Sequence, residues 1–368
     1  MPRSYYKTTH DCYLKGGPDQ STGIISYREV HPPHVTERTH PETNEIELHP
    51  LFFDLLKHSY CGTFIAEFRR CRIKGGWVPA VLSSDGRVIF DLSREYWVTD
   101  PKALSIFKYR SLPEPRLLSG TSLCLATLGA SNNYSHWLFD LLPRIEIANQ
   151  AGWPLSKFDH VIVNSVEEPF QIETLKDMGA HEEQIVQSDK EMHLQCEAAV
   201  IPSYPGQHIS VPKWSCRFLR QALPMEIDDE GSKRVYISRR KAAHRRIINE
   251  EEIIDVLRPL GFVVHVLEDL PTSAQRKLFA EARIVVSPAG SSLANVVFCR
   301  PRATVVELHH RGYVNPDMWK ICHSCDIRYL YALGDDGVGQ KQRGDSPLKW
   351  DFELPITTLR SILEMAGI

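Results

Sequence analysis

The chain lacks any apolar run long enough to cross a membrane. Its longest apolar clusters, near Leu51–Leu56 and Phe262–Leu267, are interrupted by Asp54 and His265, and a bilayer span needs roughly 18–20 residues. Met1–His10 shows no signal-peptide core. The nine cysteines are odd in number and widely scattered, which is not the pattern of a disulfide framework. These absences predict a reducing, cytoplasmic setting with mostly buried thiols. An excess of one charge is also missing: 43 Lys plus Arg stand against 46 Asp plus Glu, a formal net charge of −3. A general nucleic-acid coat, which needs a basic excess, is thereby excluded. No two aspartates lie two positions apart, so the Asp-x-Asp metal-diphosphate motif is absent. No GxSxG elbow occurs. Cys322-His-Ser-Cys325 is a single CxxC without a second pair at zinc-ribbon spacing, so no metal site is expected and buried thiols are.

What is present is ordinary globular material. The 368 residues are 42% hydrophobic and 24% charged, enough for two soluble domains at roughly 100–200 residues each. Residues 1–60 are rich in His, Pro and Thr with weak periodicity, and irregular structure is expected there. Gly75-Gly76 and Asp85-Gly86 are hairpin signals, the second flanked by Ala80–Leu82 and Val88–Phe90. From about Leu117 the text alternates. Strands are expected at Ser122–Thr127, His160–Asn164 and Ala198–Pro202, with helices at Asn133–Ala148 and Glu167–Met178. A second series has strands at Arg234–Ser238, Phe262–Leu267, Ile284–Ser287, Ala303–Leu308 and Ile327–Tyr331. Its helices are expected at Glu250–Arg258, Thr272–Ala282, Ser291–Phe298 and Asn315–His323. Such alternation builds parallel sheets. The expected class is α/β, with two Rossmann-like domains facing each other across a cleft. The expected parts are a β-rich extension (1–115), a first domain (116–207), a second (208–348) and a closing helix (349–368). The boundary is placed in Pro202–Pro212 and a loop in Gly334–Leu348.

Three segments could carry chemistry. Lys233–Arg246 reads KRVYISRRKAAHRR, with seven Lys/Arg and one His. A strand delivers Arg239, Arg240 and Lys241 at its carboxyl end, where ligands of open α/β sheets bind, and Arg suits bidentate phosphate contacts. A solvated basic loop or an RNA contact explains the same run. Arg283–Phe298, RIVVSPAGSSLANVVF, ends a strand at Ser287-Pro288 and opens a helix after Ala289, Gly290, Ser291 and Ser292. Small residues and a helix start favour an anion, although an ordinary capped turn looks alike. In Asn132–Arg144, NNYSHWLFDLLPR, Asn133, His136, Asp140 and Arg144 form one polar helical stripe. A His–Asp pair can act as general base; a surface pair with a capping Asn is the plainer reading. Pro143 should kink this helix or end its regular ladder. Glu268 and Glu307, at strand ends, are placed to accept ribose hydroxyls.

In order, NYSHWLFDLLPRI (133–145), VYISRRKAAHRRIINEEEIIDVL (235–257), LGFVVHVLEDL (260–270), QRKLFAEARIVVSPAGSSLANVVF (275–298) and TVVEL (304–308) resemble glycosyltransferase family 61. That family includes bacterial polysaccharide transferases, plant xylan-decorating enzymes and O-GlcNAc-type transferases. The resemblance implies a GT-B architecture, an inverting mechanism and a nucleotide-sugar donor, UDP-linked, as co-substrate without a further cofactor. It implies donor contacts from Arg239, Arg240, Arg245, Glu268, Pro288, Gly290, Ser291, Ser292, Asn295 and Glu307. Asp140 or His136 would be the base, and Asn133, Trp137 and Arg144 would meet a glycan or polysaccharide acceptor. A lipid-linked acceptor would place the protein at the inner face of a membrane. The family's phosphate turn has a His between Pro and Gly; here that position is Ala289. Two other classes fit the same residues. One is a non-catalytic nucleotide or RNA-binding module using 233–246. The other is a GT-B-like transferase of pyruvyl or phosphosugar groups.

Overall fold

A computed structural model describes residues 2, 4–17, 20–206, 210–228, 231–337 and 346–368. The middle of the expected 334–348 loop, and 207–209 of the expected boundary, lie outside the described residues. The chain forms two compact units, one of residues 1–34 with 59–223 and one of 35–58 with 224–368. The division therefore does not follow the expected breaks at 115 and 207. Residues 1–34 and 59–115 share the first unit's sheet, 35–58 joins the second unit, and the helix Lys213–Ala222 stays with the first. No described helix is long and apolar enough to cross a membrane. Among the described residues the cysteines form no disulfide, and all but Cys61 are buried.

The first unit is built on a mixed sheet. Its parallel heart is His193–Pro202, Arg116–Cys124, His160–Val163 and Ile185–Gln187, in that spatial order. Thr63–Arg69 and Arg72–Lys74 run antiparallel along the other side of His193–Pro202. The expected hairpin about Asp85-Gly86 forms, with Leu82 opposite Val88. Where irregular structure was expected, Ile24–His31 is an eight-residue strand paired with Thr63–Arg69. A partner strand outweighs weak local periodicity here, because cross-strand packing sets strand stability.

The second unit is a doubly wound sheet of six parallel strands. The order is Phe262–Val266, Lys233–Ser238, Ala282–Pro288, Thr304–His310, Arg328–Gly334 and Glu42–Thr43. Counting the strands after residue 224 along the chain, their order is 2-1-3-4-5. Tyr236, Val286, Val306 and Leu330 form one face, covered by Glu250–Leu257 and by the closing helix Ile356–Met365. The alternate residues Val235, Val285 and Val305 are equally buried and face the opposite side. Both faces are thus apolar, which is why these strands read as continuous Val/Ile runs.

Candidate functional site

In the second unit the strand order reverses between Lys233–Ser238 and Ala282–Pro288. In an open α/β sheet that switch point, outside the carboxyl ends, is where a ligand crevice forms. The residue after the first strand is Arg239, and the turn after the other is Ala289-Gly290-Ser291. They meet. A Cβ on Gly290 would lie 1.9 Å from Arg239 Nη1 and 2.6 Å from Cζ, so the position admits only glycine while the guanidinium rests there. Arg239 Nη2 donates to the His244 carbonyl at 3.1 Å. Its Nε is buried with no hydrogen-bond partner among the described residues, and so is Nε of Arg245. Arg245 sits at φ 58°, an uncommon backbone conformation for a non-glycine residue. Its guanidinium lies 5.6 Å from the centre of the Tyr313 ring. Burial lowers the Arg239 pKa to about 10, and Arg245 adds to this; Glu268, Glu307 and Asp351 act in the opposite sense. Two interacting guanidinium groups therefore each keep a buried, unmet Nε–H donor. Such groups are costly to bury without a partner.

The rest of the basic run is partly exposed and takes partners within the protein. Lys233 pairs with Glu281 at 2.6 Å, Arg240 with Glu250 at 3.6 Å and Arg246 with Asp351 at 2.6 Å. Lys241 pairs with Asp269, and Arg234 donates to the Leu260 carbonyl. Arg240, expected beside the donor, is instead drawn to the carboxylates that open Glu250–Leu257, where they favour the helix dipole. Of the other expected donor residues, Pro288 ends its strand buried. Ser291 and Ser292 open a 3-10 segment, Ser291–Phe298, where an α-helix was expected. Asn295 is buried and donates to Gln275 and to the Ser292 carbonyl. It braces the turn from beneath. Glu307 is buried, accepts from the Tyr329 hydroxyl at 2.7 Å and lies 3.5 Å from His309 Nε2. That carboxylate belongs to an internal polar cluster, while Glu268 is exposed.

In the first unit, the chain leaves the strand Arg116–Cys124 and enters the helical segment beginning at Tyr134. Asn133 caps it, its side chain accepting from the backbone N–H of Ser135 and His136 at 2.9 and 3.3 Å. Trp137–Leu141 is a π turn, closed by Leu142 N–H to the Trp137 carbonyl at 3.1 Å. Pro143 has no N–H to give to Phe139, so the regular ladder fails and slips by one residue. The expected end of the regular ladder takes this form. His136 Nδ1 and Asp140 Oδ2 lie 2.6 Å apart. The Tyr96 hydroxyl donates to the same carboxylate oxygen at 2.5 Å, and its ring stacks on the imidazole at 5.4 Å. Burial, then the Asp140 charge, pushes the Tyr96 phenol well above its usual range, so it stays a donor. Gly129, at φ 81°, leaves room for the ring: a Cβ there would lie 2.6 Å from His136 Cδ2. Asn164 fastens this loop by accepting from Thr127 N–H at 2.9 Å and donating to its carbonyl at 2.7 Å. An imidazole held at Nδ1 by a fixed carboxylate is the arrangement a general base needs.

Sequence reasoning missed Tyr96, Gly129 and Asn164. Tyr96 lies 44 residues from Asp140, and no local pattern connects them. Two expected acceptor contacts have other tasks. Arg144 is 1% exposed and donates to the carbonyls of Leu125, Ala126 and Pro202 at 2.6–3.1 Å. It staples the carboxyl ends of adjacent strands. Trp137 is fully buried, with its indole N–H on Thr174 at 2.9 Å. The π turn, which lies before Arg144, shifts it off the stripe that an ideal helix would show. Among the described residues no three His, Cys, Asp or Glu side chains converge as a metal ligand set.

A family model described as Glycosyltransferase 61 matches residues 134–306, a span containing His136, Asp140, Arg239 and Gly290. No curated protein matches the chain.

Proposed function

From a chain that carries a domain of glycosyltransferase family 61 over residues 134–306, we propose an inverting GT-B transferase that moves a sugar from a UDP-linked donor to a glycan hydroxyl. The observation that carries this reading is Arg239 folded over Gly290 at the switch point, with buried Nε unmet and Arg245 alongside. Diphosphate oxygens would accept from these guanidinium groups. As the glycosidic bond breaks, negative charge grows on the leaving diphosphate, and fixed cations stabilise it without reorganising. No metal ion is needed in this scheme. Arg239 would compensate for the histidine that the family has at this position, where Ala289 is buried and its backbone N–H bonds to the Leu308 carbonyl.

The first unit would supply the base. With Nδ1 held by Asp140, His136 would take the acceptor's hydroxyl proton at Nε2, and the alkoxide-like oxygen would attack the anomeric carbon in line. Asp140 stabilises the imidazolium that forms, and Tyr96 keeps its carboxylate in place. Against the nucleic-acid alternative stands the charge balance of the chain, with no basic excess for a polyanion backbone. Incubation with a panel of UDP-, GDP-, CMP- and TDP-sugars, read by mass spectrometry of released nucleotide and of product, tests the proposal. UDP release with retained sugar mass on the acceptor is expected. Release of no nucleotide, or transfer of pyruvyl or phosphosugar groups, would contradict it.

A further inference from the structure

Two tryptophans in the first unit are 55% and 61% exposed, Trp77 and Trp97. They stack on each other, with centroids 5.8 Å apart and planes 22° from parallel. Single exposed hydrophobics need no explanation, but a paired indole surface does. Both rings stand on fixed backbone. Gly75 and Gly76, before Trp77, are clamped to the 188–190 loop. Gly76 N–H donates to Ser188 Oγ at 2.9 Å, and a Cβ on Gly75 would lie 2.5 Å from that oxygen. Trp97 lies in a turn closed by Val98 N–H to the Glu95 carbonyl at 2.8 Å. The residue before it, Tyr96, is bonded to Asp140. Consecutive Cα atoms are about 3.8 Å apart, so the Trp pair begins one residue from the side chain that holds the base.

We infer that Trp77 and Trp97 form a carbohydrate-binding platform for the acceptor glycan, seating pyranose rings remote from the reacting hydroxyl; this rests on the transferase reading above. The C–H face of a pyranose is flat and apolar, and rigid indoles offer matching area with little ordering cost. Together the two exposed rings present roughly 300 Å², well short of the roughly 800 Å² per partner that a stable protein interface buries. The patch is therefore sized for one or two sugar rings rather than for a protein.

The test is titration of tryptophan emission, with saturation-transfer NMR, using xylohexaose, cellohexaose, chitohexaose and maltohexaose as probes. At least one is expected to bind wild type at millimolar concentration. Trp97→Ala and Trp77→Ala should each weaken that binding about tenfold, the factor expected for one lost stacking contact. Trp77→Phe and Trp97→Phe should retain most of it, and unchanged melting temperatures exclude misfolding. The inference is overturned if no hexasaccharide binds, if the Ala variants bind equally, or if sedimentation shows a wild-type dimer abolished by Trp97→Ala. UDP titration of wild type separates the two readings. Oligosaccharide binding without UDP binding would leave the platform and remove the transferase; UDP binding without oligosaccharide binding would do the reverse.

Discussion

The His136–Asp140 dyad and the Arg239–Arg245 pair both follow the carboxyl ends of parallel strands, yet they are completed differently. Asp140 accepts from His136 and Tyr96 inside the first unit, so the acidic constellation is whole without any ligand. In the second unit, Arg239 and Arg245 keep buried Nε groups that no described residue satisfies. In the proposed mechanism a self-contained dyad would be preorganised for proton transfer, and an unfinished pair of cations for an anion. On the proposed reading, that difference separates the region that would do the chemistry from the region that would hold substrate charge.

The comparison breaks most visibly at the dyad. Asp140→Asn and His136→Ala should each lower turnover about 10²–10⁴-fold, the range for a lost general base, while nucleotide affinity is preserved. Steady-state kinetics beside UDP titration checks this, and near-normal turnover in both variants would remove the base assignment. Arg144→Met should act on stability. Three buried carbonyls lose their donors, a loss of about 3–5 kcal/mol, which calorimetry should register as a melting temperature lower by on the order of 10 °C. Gly290→Ala should act on binding alone. The new methyl displaces the Arg239 guanidinium, and UDP affinity should fall about tenfold with the melting temperature nearly unchanged. The smallest effect belongs to Glu281. Its burial favours the neutral acid, but hydrogen bonds from Lys233, Lys277 and the Asp228 N–H outweigh that and lower its pKa to about 2. Folded below unfolded, this group contributes stability that is complete above about pH 4.5 and lost as pH falls towards 2. Denaturant melts of Glu281→Gln should show a flatter slope over that window than wild type.

How much of this was legible depends on how local each cause is. Strands such as Ile284–Ser287 and Ala303–Leu308 were readable because both faces are apolar, and their bounds shift by only a few residues to Ala282–Pro288 and Thr304–His310. The His136–Asp140 pairing was readable from i, i+4 spacing. Arg144 was not, because the π turn breaks the ideal stripe, and Trp137 was not, because its indole is buried against Thr174, 37 residues away. Arg239 and Arg240 are adjacent and chemically identical; only the fold sends one to Gly290 and the other to Glu250. Glu307 met a strand-end rule, but Tyr329, on the neighbouring strand, already occupies it. The strand Ile24–His31 is half-exposed and owes its existence to a partner 41 residues away at Ser26–Glu67. Long-range causes of this kind leave no trace in local periodicity.

The central claim is that Arg239, rather than the basic run as a whole, receives the donor diphosphate. Calorimetric titration of UDP into wild type, Arg239→Ala and Arg240→Ala tests it most directly. The account predicts binding by wild type, a loss of about 2–3 kcal/mol for Arg239→Ala, as for hydrogen bonds to a charged group, and a change under about 0.5 kcal/mol for Arg240→Ala, as for a surface pair. Equal losses in the two variants, or undiminished binding by Arg239→Ala, would contradict it.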